Sequence, residues 1–257
     1  MADATQAAPL SNLDSPSQRQ EMAPLWHTTL LVVILLGLSF ASYYSSRHYA
    51  SQSSDEATPS SAARIVTYAF TLVQEWLLFL FVLWGERLRS SATVRDRVGI
   101  RVEKDAVIRD IGIAALVWGL VAIINGILGF LLHPTGARVV LKLVPHTLPE
   151  LALWIPLCAS AGFCEEYIFR GYFQRQFGFL TGSIWAGVVI QAVLFGAAHG
   201  YQGAKQMLVI FCMGLTFGIA ANLRKSLRPV MFAHGWTDFF AGAVGYIVNA
   251  MHIKIPV

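Results

Sequence analysis

Long runs of apolar residues, broken by short polar stretches, recur seven times along this chain. Each run is near the 20 residues that an α-helix needs to cross a bilayer. Backbone groups in lipid must be hydrogen-bonded within the protein, so such runs predict helices. We expect the fifth and sixth helices to be short, and therefore tilted or only partly spanning. The predicted helices are Leu25–Tyr44, Ile65–Trp84, Ile111–Leu132, Leu151–Phe169, Ser183–Ala198, Met207–Leu223 and Val230–Met251.

The composition indicates a membrane protein. Hydrophobic residues make up 55% of the 257 residues and charged residues only 13%, about half the charged fraction of a soluble domain. The predicted fold class is all-α: a polytopic transmembrane helical bundle of about seven helices, with a buried polar site in its C-terminal half. We find no internal repeat of the kind that many transporters contain.

Three regions are predicted along the chain. Residues 1–24 form a disordered cytoplasmic tail, because they lack the basic segment of a secretory signal. Residues 25–110 hold the N-terminal transmembrane helices and a basic cytoplasmic loop. Residues 111–257 hold the remaining helices, with the chemistry at about 150–250. The Ser/Ala/Thr-rich stretch Ser51–Ala63 is predicted to be an external loop.

Basic residues concentrate between the second and third helices. The positive-inside rule places this loop, and by alternation the N-terminus, in the cytoplasm. The loop also contains apolar residues, so it is either an interfacial element on anionic headgroups or a solvated loop. It accounts for the formal net charge of +4, and we expect no nucleic-acid partner. Its basic residues are Arg87, Arg89, Arg95, Arg97, Arg101, Lys104 and Arg109.

Two adjacent glutamates and an arginine interrupt the fourth apolar run, at Glu165, Glu166 and Arg170. A charge at membrane depth is usually paired, hydrated or used chemically. Glu166 and Arg170 are four residues apart and can form an ion pair on one helix face. Glu165 points about 100° away, so we expect it to be the freer carboxylate and a candidate general base. A purely structural ion-pair network is the alternative.

Two later helices carry histidines one turn from a ring or a carboxylate. Phe195 and His199 share a helix face, and so do His234 and Asp238. The Asp238 carboxylate could fix the tautomer of the His234 imidazole, which could then stabilise an oxyanion. Each pair alone is a weak signal, because a lone histidine in an apolar helix is more often a satisfied core residue. The order and spacing of all three motifs are more specific.

Together, Glu-Glu-x-x-x-Arg, Phe-x-x-x-His and His-x-x-x-Asn/Asp on successive helices resemble the type II CAAX prenyl protease family. This is the Abi-type, or CAAX protease and bacteriocin-processing (CPBP), group of intramembrane endopeptidases. The resemblance covers roughly Glu150–Ala250. It implies a hydrolase that acts on peptide bonds and processes membrane-associated proteins.

The resemblance also implies roles for individual residues. Glu165 would activate the attacking water, and His199 would help to hold or deprotonate it. His234 and Asp238 would line the oxyanion side of the peptide carbonyl. Where the family has Asn in the last motif, Asp238 could donate a hydrogen bond only if protonated, so we expect it to orient His234. The supporting motif residues would be Glu166, Arg170 and Phe195.

The family has been described both as metal-dependent and as using a glutamate without metal. We favour no cofactor here, and the chain lacks the His-Glu-x-x-His helix of common zinc proteases. Zinc stays an alternative, because nitrogen and oxygen ligands suit it. Its ligands would be Glu165, His199, His234 and Asp238.

Helix geometry poses a problem for this site. The predicted topology puts His199 near the outer end of the fifth helix and His234 near the inner end of the seventh. At 1.5 Å per residue, a full-length sixth helix would leave them roughly 15–25 Å apart. Convergence requires short, tilted or sunken helices, and Gly200 and Gly203 would permit a break. Glu75, outside the motifs, is predicted to line a water path, pair with a cation or pack.

The expected partners are a membrane-associated protein or peptide substrate and the lipid bilayer from which it enters. The compact chain without an organelle-targeting leader favours the inner (cytoplasmic) membrane of a bacterium or archaeon, and the sequence does not tell whether the substrate is prenylated. Two alternatives stay open. One is a catalytically silent membrane scaffold or bacteriocin-immunity-type protein, and the other is a proton-coupled transporter.

Overall fold

The structure is a computed structural model that describes residues 21–52, 59–99, 104–133 and 142–251. Most of the predicted tail, the middle of the predicted external loop and Arg101 lie outside these ranges. Every regular element within them is helical. The elements are α1 (Leu25–Gln52), α2 (Ser61–Arg87), α3 (Val94–Val98), α4 (Lys104–Leu132), α5 (Leu148–Glu166), a π-helical segment (Tyr167–Phe173), α6 (Gln174–Thr181), α7 (Ile184–Ala198), a 3₁₀ turn (Gly200–Gln202), α8 (Ala204–Arg224) and α9 (Arg228–Ala250).

The predicted fold class is confirmed, and a helix is present at each of the seven predicted positions. In the described ranges, five helices are long and apolar enough to cross a membrane. α7, with 15 residues, is short as predicted, but the expectation of a short sixth helix is wrong, because α8 has 21 residues. The five spans are Leu25–Ser45, Ser61–Arg87, Ala106–Leu132, Leu148–Thr181 and Ala204–Arg224.

The fourth span is much longer than predicted. It continues without interruption from α5 through the π-helical segment into α6, for 34 residues. The apolar pattern ends at Phe169, yet the polar residues beyond it are buried and bonded inside the protein. Gln174 donates a hydrogen bond to the Gly218 carbonyl, and Gln176 donates one to the Ala23 carbonyl. Hydropathy therefore underestimates this helix, because it treats these glutamines as solvated.

The fourth span is the centre of the bundle, and α4 lies at its edge. α5 packs against α2 and α9, and α6 packs against α7. The α5–α9 contact is close at Gly162, where an added Cβ would lie 2.6 Å from the Met231 carbonyl oxygen. On α4, Leu116 and Phe130 are 76% and 75% exposed. Exposed apolar side chains on a helix of this length indicate a lipid-facing surface.

Hydrogen bonds and an ion pair join the N-terminal helices to the fourth span. Near the start of α1, the Thr28 hydroxyl lies 2.9 Å from the Tyr172 hydroxyl. Near the start of α2, the Arg64 guanidinium donates to both carboxylate oxygens of Glu150, at 2.9 and 3.1 Å. At the end of α2, the Tyr167 hydroxyl donates to Glu86 at 2.7 Å. α2 is therefore bonded to the fourth span at both of its ends, and α1 is bonded to it near its start.

Part of the basic loop is a folded element. α3 begins with a capping box between Thr93 and Asp96, whose hydrogen bonds from Thr93 lower the pKa of the Asp96 carboxyl. Arg97 is buried 3.7 Å from Glu86, and the Val98 carbonyl accepts a hydrogen bond from Leu227 N–H just before α9. This segment is docked on the bundle, in contrast to a freely solvated loop.

Candidate active site

A cavity of about 300 Å³ lies between α2, α5, α8 and α9 and reaches the 3₁₀ turn. Glu165, His199, His234 and Asp238, the four residues predicted to do the chemistry, all line it. Glu75, from α2, lines it too. The structure thus brings together side chains from helices that are widely separated in sequence.

Adjacent Glu165 and Glu166 occupy different environments. The Glu165 side chain is 23% exposed and lies 3.9 Å from His234 Nε2. Its Oε2 atom is buried without a hydrogen-bond partner in the described part of the protein. The Glu166 side chain is completely buried. Glu165 therefore keeps a carboxylate oxygen in the cavity that can accept a hydrogen bond from a water molecule.

The predicted ion pair of Glu166 and Arg170 is present, with Oε1 and Nη1 2.7 Å apart. Arg170 is also fully buried and lies over the rings of Phe195 and Phe217, at 4.3 and 5.3 Å from their centroids. Its Nη2 donates to the Gly214 carbonyl. Cation–π contacts and the ion pair together compensate for the buried charge, and they fix Phe195 of the second motif against the first.

His234 is oriented mainly by Glu166, a partner that the spacing did not reveal. Its Nδ1 lies 2.8 Å from Glu166 Oε1, whereas its Nε2 lies 3.5 Å from Asp238 Oδ2. The same Glu166 oxygen thus contacts both Arg170 and His234. Sequence spacing identified the neighbour on the same helix, Asp238, but gave no information on a carboxylate from α5. The Nε2 atom faces Glu165 and Asp238 in the cavity.

His199 follows the last residue of α7, and its Nδ1 lies 2.8 Å from the Phe195 carbonyl oxygen. That oxygen can only accept, so Nδ1 carries the proton and Nε2 is left as an acceptor when the ring is neutral. Ser39, on α1, holds the backbone on both sides of His199. Its hydroxyl donates to the Ala197 carbonyl at 2.8 Å and accepts from Gly200 N–H at 3.1 Å. Ser39 was missed because a single serine in an apolar helix carries no spacing signal.

The extra length of the fourth span explains how His199 reaches the same site as the fourth-helix motif. The seven residues of the π-helical segment and the eight of α6 lead away from Glu166. The 15 residues of α7 then return antiparallel to them and bring His199 back to the level of Glu166.

The rings of His199 and His234 both contact Phe195, with centroids 5.0 and 5.9 Å from its own. The expectation that a full-length sixth helix would leave His199 and His234 roughly 15–25 Å apart is therefore wrong. The expected break after His199 is present, as the 3₁₀ turn and a Gly203 with φ of +89°.

The predicted zinc ligands line one cavity but do not form a metal site. Within the described ranges, no three His, Cys, Asp or Glu side chains are arranged to hold one metal ion. A tetrahedral zinc site needs such a set.

A protein-family model matches part of the chain. The model described as "Type II CAAX prenyl endopeptidase Rce1-like" matches residues 147–240. This segment contains all four cavity residues named by the motifs, but neither Ser39 nor Glu75. No significant match was found among curated proteins or among solved structures. The chain is therefore a multi-pass membrane protein whose residues 147–240 form a domain of the Rce1-like type II CAAX prenyl endopeptidase family.

Proposed function

We propose that the protein is an intramembrane endopeptidase that hydrolyses a peptide bond of a membrane-associated protein or peptide. The observation that carries this proposal is the convergence of Glu165, His199, His234 and Asp238 on one cavity. These residues come from three helices of a domain whose relatives include CAAX endopeptidases. Glu165 faces the cavity with one carboxylate oxygen, Oε2, that has no hydrogen-bond partner among the described residues.

Glu165 and His199 are suited to activate water. A water molecule in the cavity can donate one hydrogen bond to Glu165 and another to Nε2 of His199. As its oxygen attacks the peptide carbonyl carbon, Glu165 takes the proton. General-base catalysis of this kind contributes roughly 10²–10⁴-fold to the rate. The hydrogen bond of His199 to Phe195 keeps its Nε2 available as an acceptor.

His234 and Asp238 are suited to the opposite side of the carbonyl. With Nδ1 held by Glu166, a protonated His234 presents an Nε2–H group to the cavity. That group can donate to the oxyanion as negative charge develops on the carbonyl oxygen. Asp238, 3.5 Å from Nε2, stabilises the imidazolium. The Glu166–Arg170 pair keeps this arrangement in place from outside the cavity.

We also propose where the chemistry takes place, how the substrate enters and how the protein is oriented in the membrane. The chemistry resides in the core at about residues 150–250, and the substrate enters from the bilayer. We place the protein in the inner (cytoplasmic) membrane with its N-terminus in the cytoplasm, because the basic loop lies between the second and third helices. An impermeant thiol reagent applied to intact cells should then label Lys205→Cys but not Arg95→Cys, and the reverse pattern contradicts this orientation.

The proposed activity is tested by comparing peptide termini in membranes of cells that express the wild type or Glu165→Gln at equal abundance. New termini that depend on Glu165 identify substrates, and a peptide spanning such a terminus then serves in assays with purified protein. We expect Glu165→Gln to reduce turnover by roughly 10²–10⁴-fold. Glu21→Gln is the matched control, because Glu21 pairs with Arg89 near the basic loop, remote from the cavity. Terminal profiles that do not differ between the wild type and Glu165→Gln contradict the proposal.

A further inference from the structure

We propose that Glu75 is a further catalytic residue: the carboxylic acid that gives a proton to the departing amine. This role presupposes the peptide hydrolysis proposed above. Glu75 is on α2, outside the segment that the family model matches. It lines the same cavity as Glu165 and Asp238.

Glu75 differs from every other carboxyl side chain that is buried in the described part of the chain. Each of the others lies within 4 Å of an arginine, whereas Glu75 forms no such ion pair. The arginine-paired carboxylates are Glu86 with Arg97, Asp110 with Arg224 and Arg228, Glu150 with Arg64, and Glu166 with Arg170. Glu75 is only 5% exposed, and its Oε2 has no hydrogen-bond partner among the residues that the structure describes. An unpaired buried carboxyl group is far less costly as the neutral acid, which is the form that can donate a proton.

The groups around Glu75 reinforce this difference. Its carboxyl is close enough to Glu165 and Asp238, on two other helices, for their charges to interact with it. Ser160, on α5, can donate a hydrogen bond to it, and the His234 imidazole is close enough for an attractive charge interaction. Two neighbouring carboxylates increase the cost of a third negative charge. The cavity is therefore arranged to keep a proton on one of its acids.

Peptide hydrolysis requires a proton at the nitrogen. In the first step, water oxygen bonds to the carbonyl carbon while Glu165 takes the water proton. In the second step, the C–N bond breaks and the nitrogen takes the proton of Glu75, which leaves a carboxylate. The proton on Glu165 then passes to Glu75 through water in the cavity. One water is consumed, one acid and one amine are released, and both glutamates return to their starting forms.

The role is tested with two substrates that share the acyl part of the peptide and differ in the leaving group. The peptide identified above would be made with its natural amide and with an ester of a weakly basic leaving group, which departs without a proton. We expect Glu75→Gln to lower kcat for the amide by about 10²-fold and to leave ester turnover nearly unchanged. Thr71→Val is the matched control, since Thr71 lines the same cavity one turn earlier on α2 and its hydroxyl is too weakly acidic to protonate a leaving amine.

A labelling experiment gives a readout that needs no turnover. An apolar carbodiimide reacts with protonated carboxyl groups in membrane proteins, and mass spectrometry locates the adduct. We expect the adduct on Glu75 and not on Glu150, which is equally buried but bonded to Arg64. Absence of the adduct from Glu75 overturns the inference.

The two proposals fail in different ways. An active wild type whose amide hydrolysis survives Glu75→Gln, or which loses amide and ester hydrolysis equally, overturns the role of Glu75 and leaves the endopeptidase standing. A wild type without Glu165-dependent hydrolysis of either substrate overturns both.

Discussion

The N-terminal helices α1 and α2 and the domain at residues 147–240 contribute to the cavity in contrasting ways. The domain carries its polar residues in three spaced motifs, and the family model matches it. α1 and α2 carry no motif, yet both supply polar side chains at the site. Ser39 holds the backbone around His199, and Glu75 adds a carboxyl group to the cavity. A recognised domain can therefore contain every motif residue and still depend on helices outside it for a complete site.

The two regions also differ in how their buried charges are balanced. Arg170 and Glu166 are both inside the domain, four residues apart. Arg64 and Glu150 join the regions, since one is on α2 and the other on α5. If the domain were self-sufficient, only the first pair would matter for its stability. Three substitutions test this, in order of decreasing expected effect.

Replacing Arg170 with Met should have the largest effect on stability. It removes the partner of a completely buried Glu166 and the cation over Phe195, which costs about 3–5 kcal/mol. Denaturation of the purified protein in detergent measures the change. Arg89→Met is the control, because its ion pair with Glu21 is half exposed and such pairs contribute about 0–1 kcal/mol. Equal losses in the two variants would contradict the role given to Arg170.

Replacing Arg64 with Met tests the junction between the regions. It leaves the buried Glu150 carboxylate without its arginine partner, although the His146 backbone N–H still donates a hydrogen bond to that carboxylate at 2.7 Å. We therefore expect a loss of about 3 kcal/mol, at the low end for a broken buried pair. The same denaturation measurement applies, and hydrolysis should fall with it because α2 carries Glu75. Unchanged stability would mean that the matched domain does not need α2.

Replacing Ser39 with Ala should have the smallest effect, and mainly on catalysis. The Ala197 carbonyl and Gly200 N–H lose their partner, which costs about 1–3 kcal/mol and loosens the position of His199. We expect kcat to fall about tenfold with little change in KM, since Ser39 is a positioning residue behind His199. Thr29→Ala, also on α1, is the control, because that hydroxyl bonds only to its own helix at Leu25. If kcat is retained in Ser39→Thr, the loss in Ser39→Ala comes from the missing hydroxyl hydrogen bonds and not from a change in packing.

The sequence predicts the fold class, the helix positions and the four motif residues of the cavity, because these depend on local hydropathy and spacing. It does not predict the contacts between distant segments. The fourth span was predicted too short because Gln174 and Gln176 are buried and hydrogen-bonded to other segments of the chain. Glu166 was expected to pair only with Arg170, because its bond to His234 crosses between helices. Ser39 was missed for the same reason, since its two partners are more than 150 residues away.

The π-helical segment sets the phase between the two halves of the fourth span. A π turn takes up one residue more than an α turn, so helical periodicity counted from Glu165 no longer holds beyond Phe173. One residue fewer would restore the α pattern and rotate everything beyond it by about 100°. Gln176 would then leave Met22 and Ala23, and α6 would present a different face to α7. The irregular turn therefore allows Glu165 to face the cavity while Gln176, on the same helix, bonds to the residues just before α1.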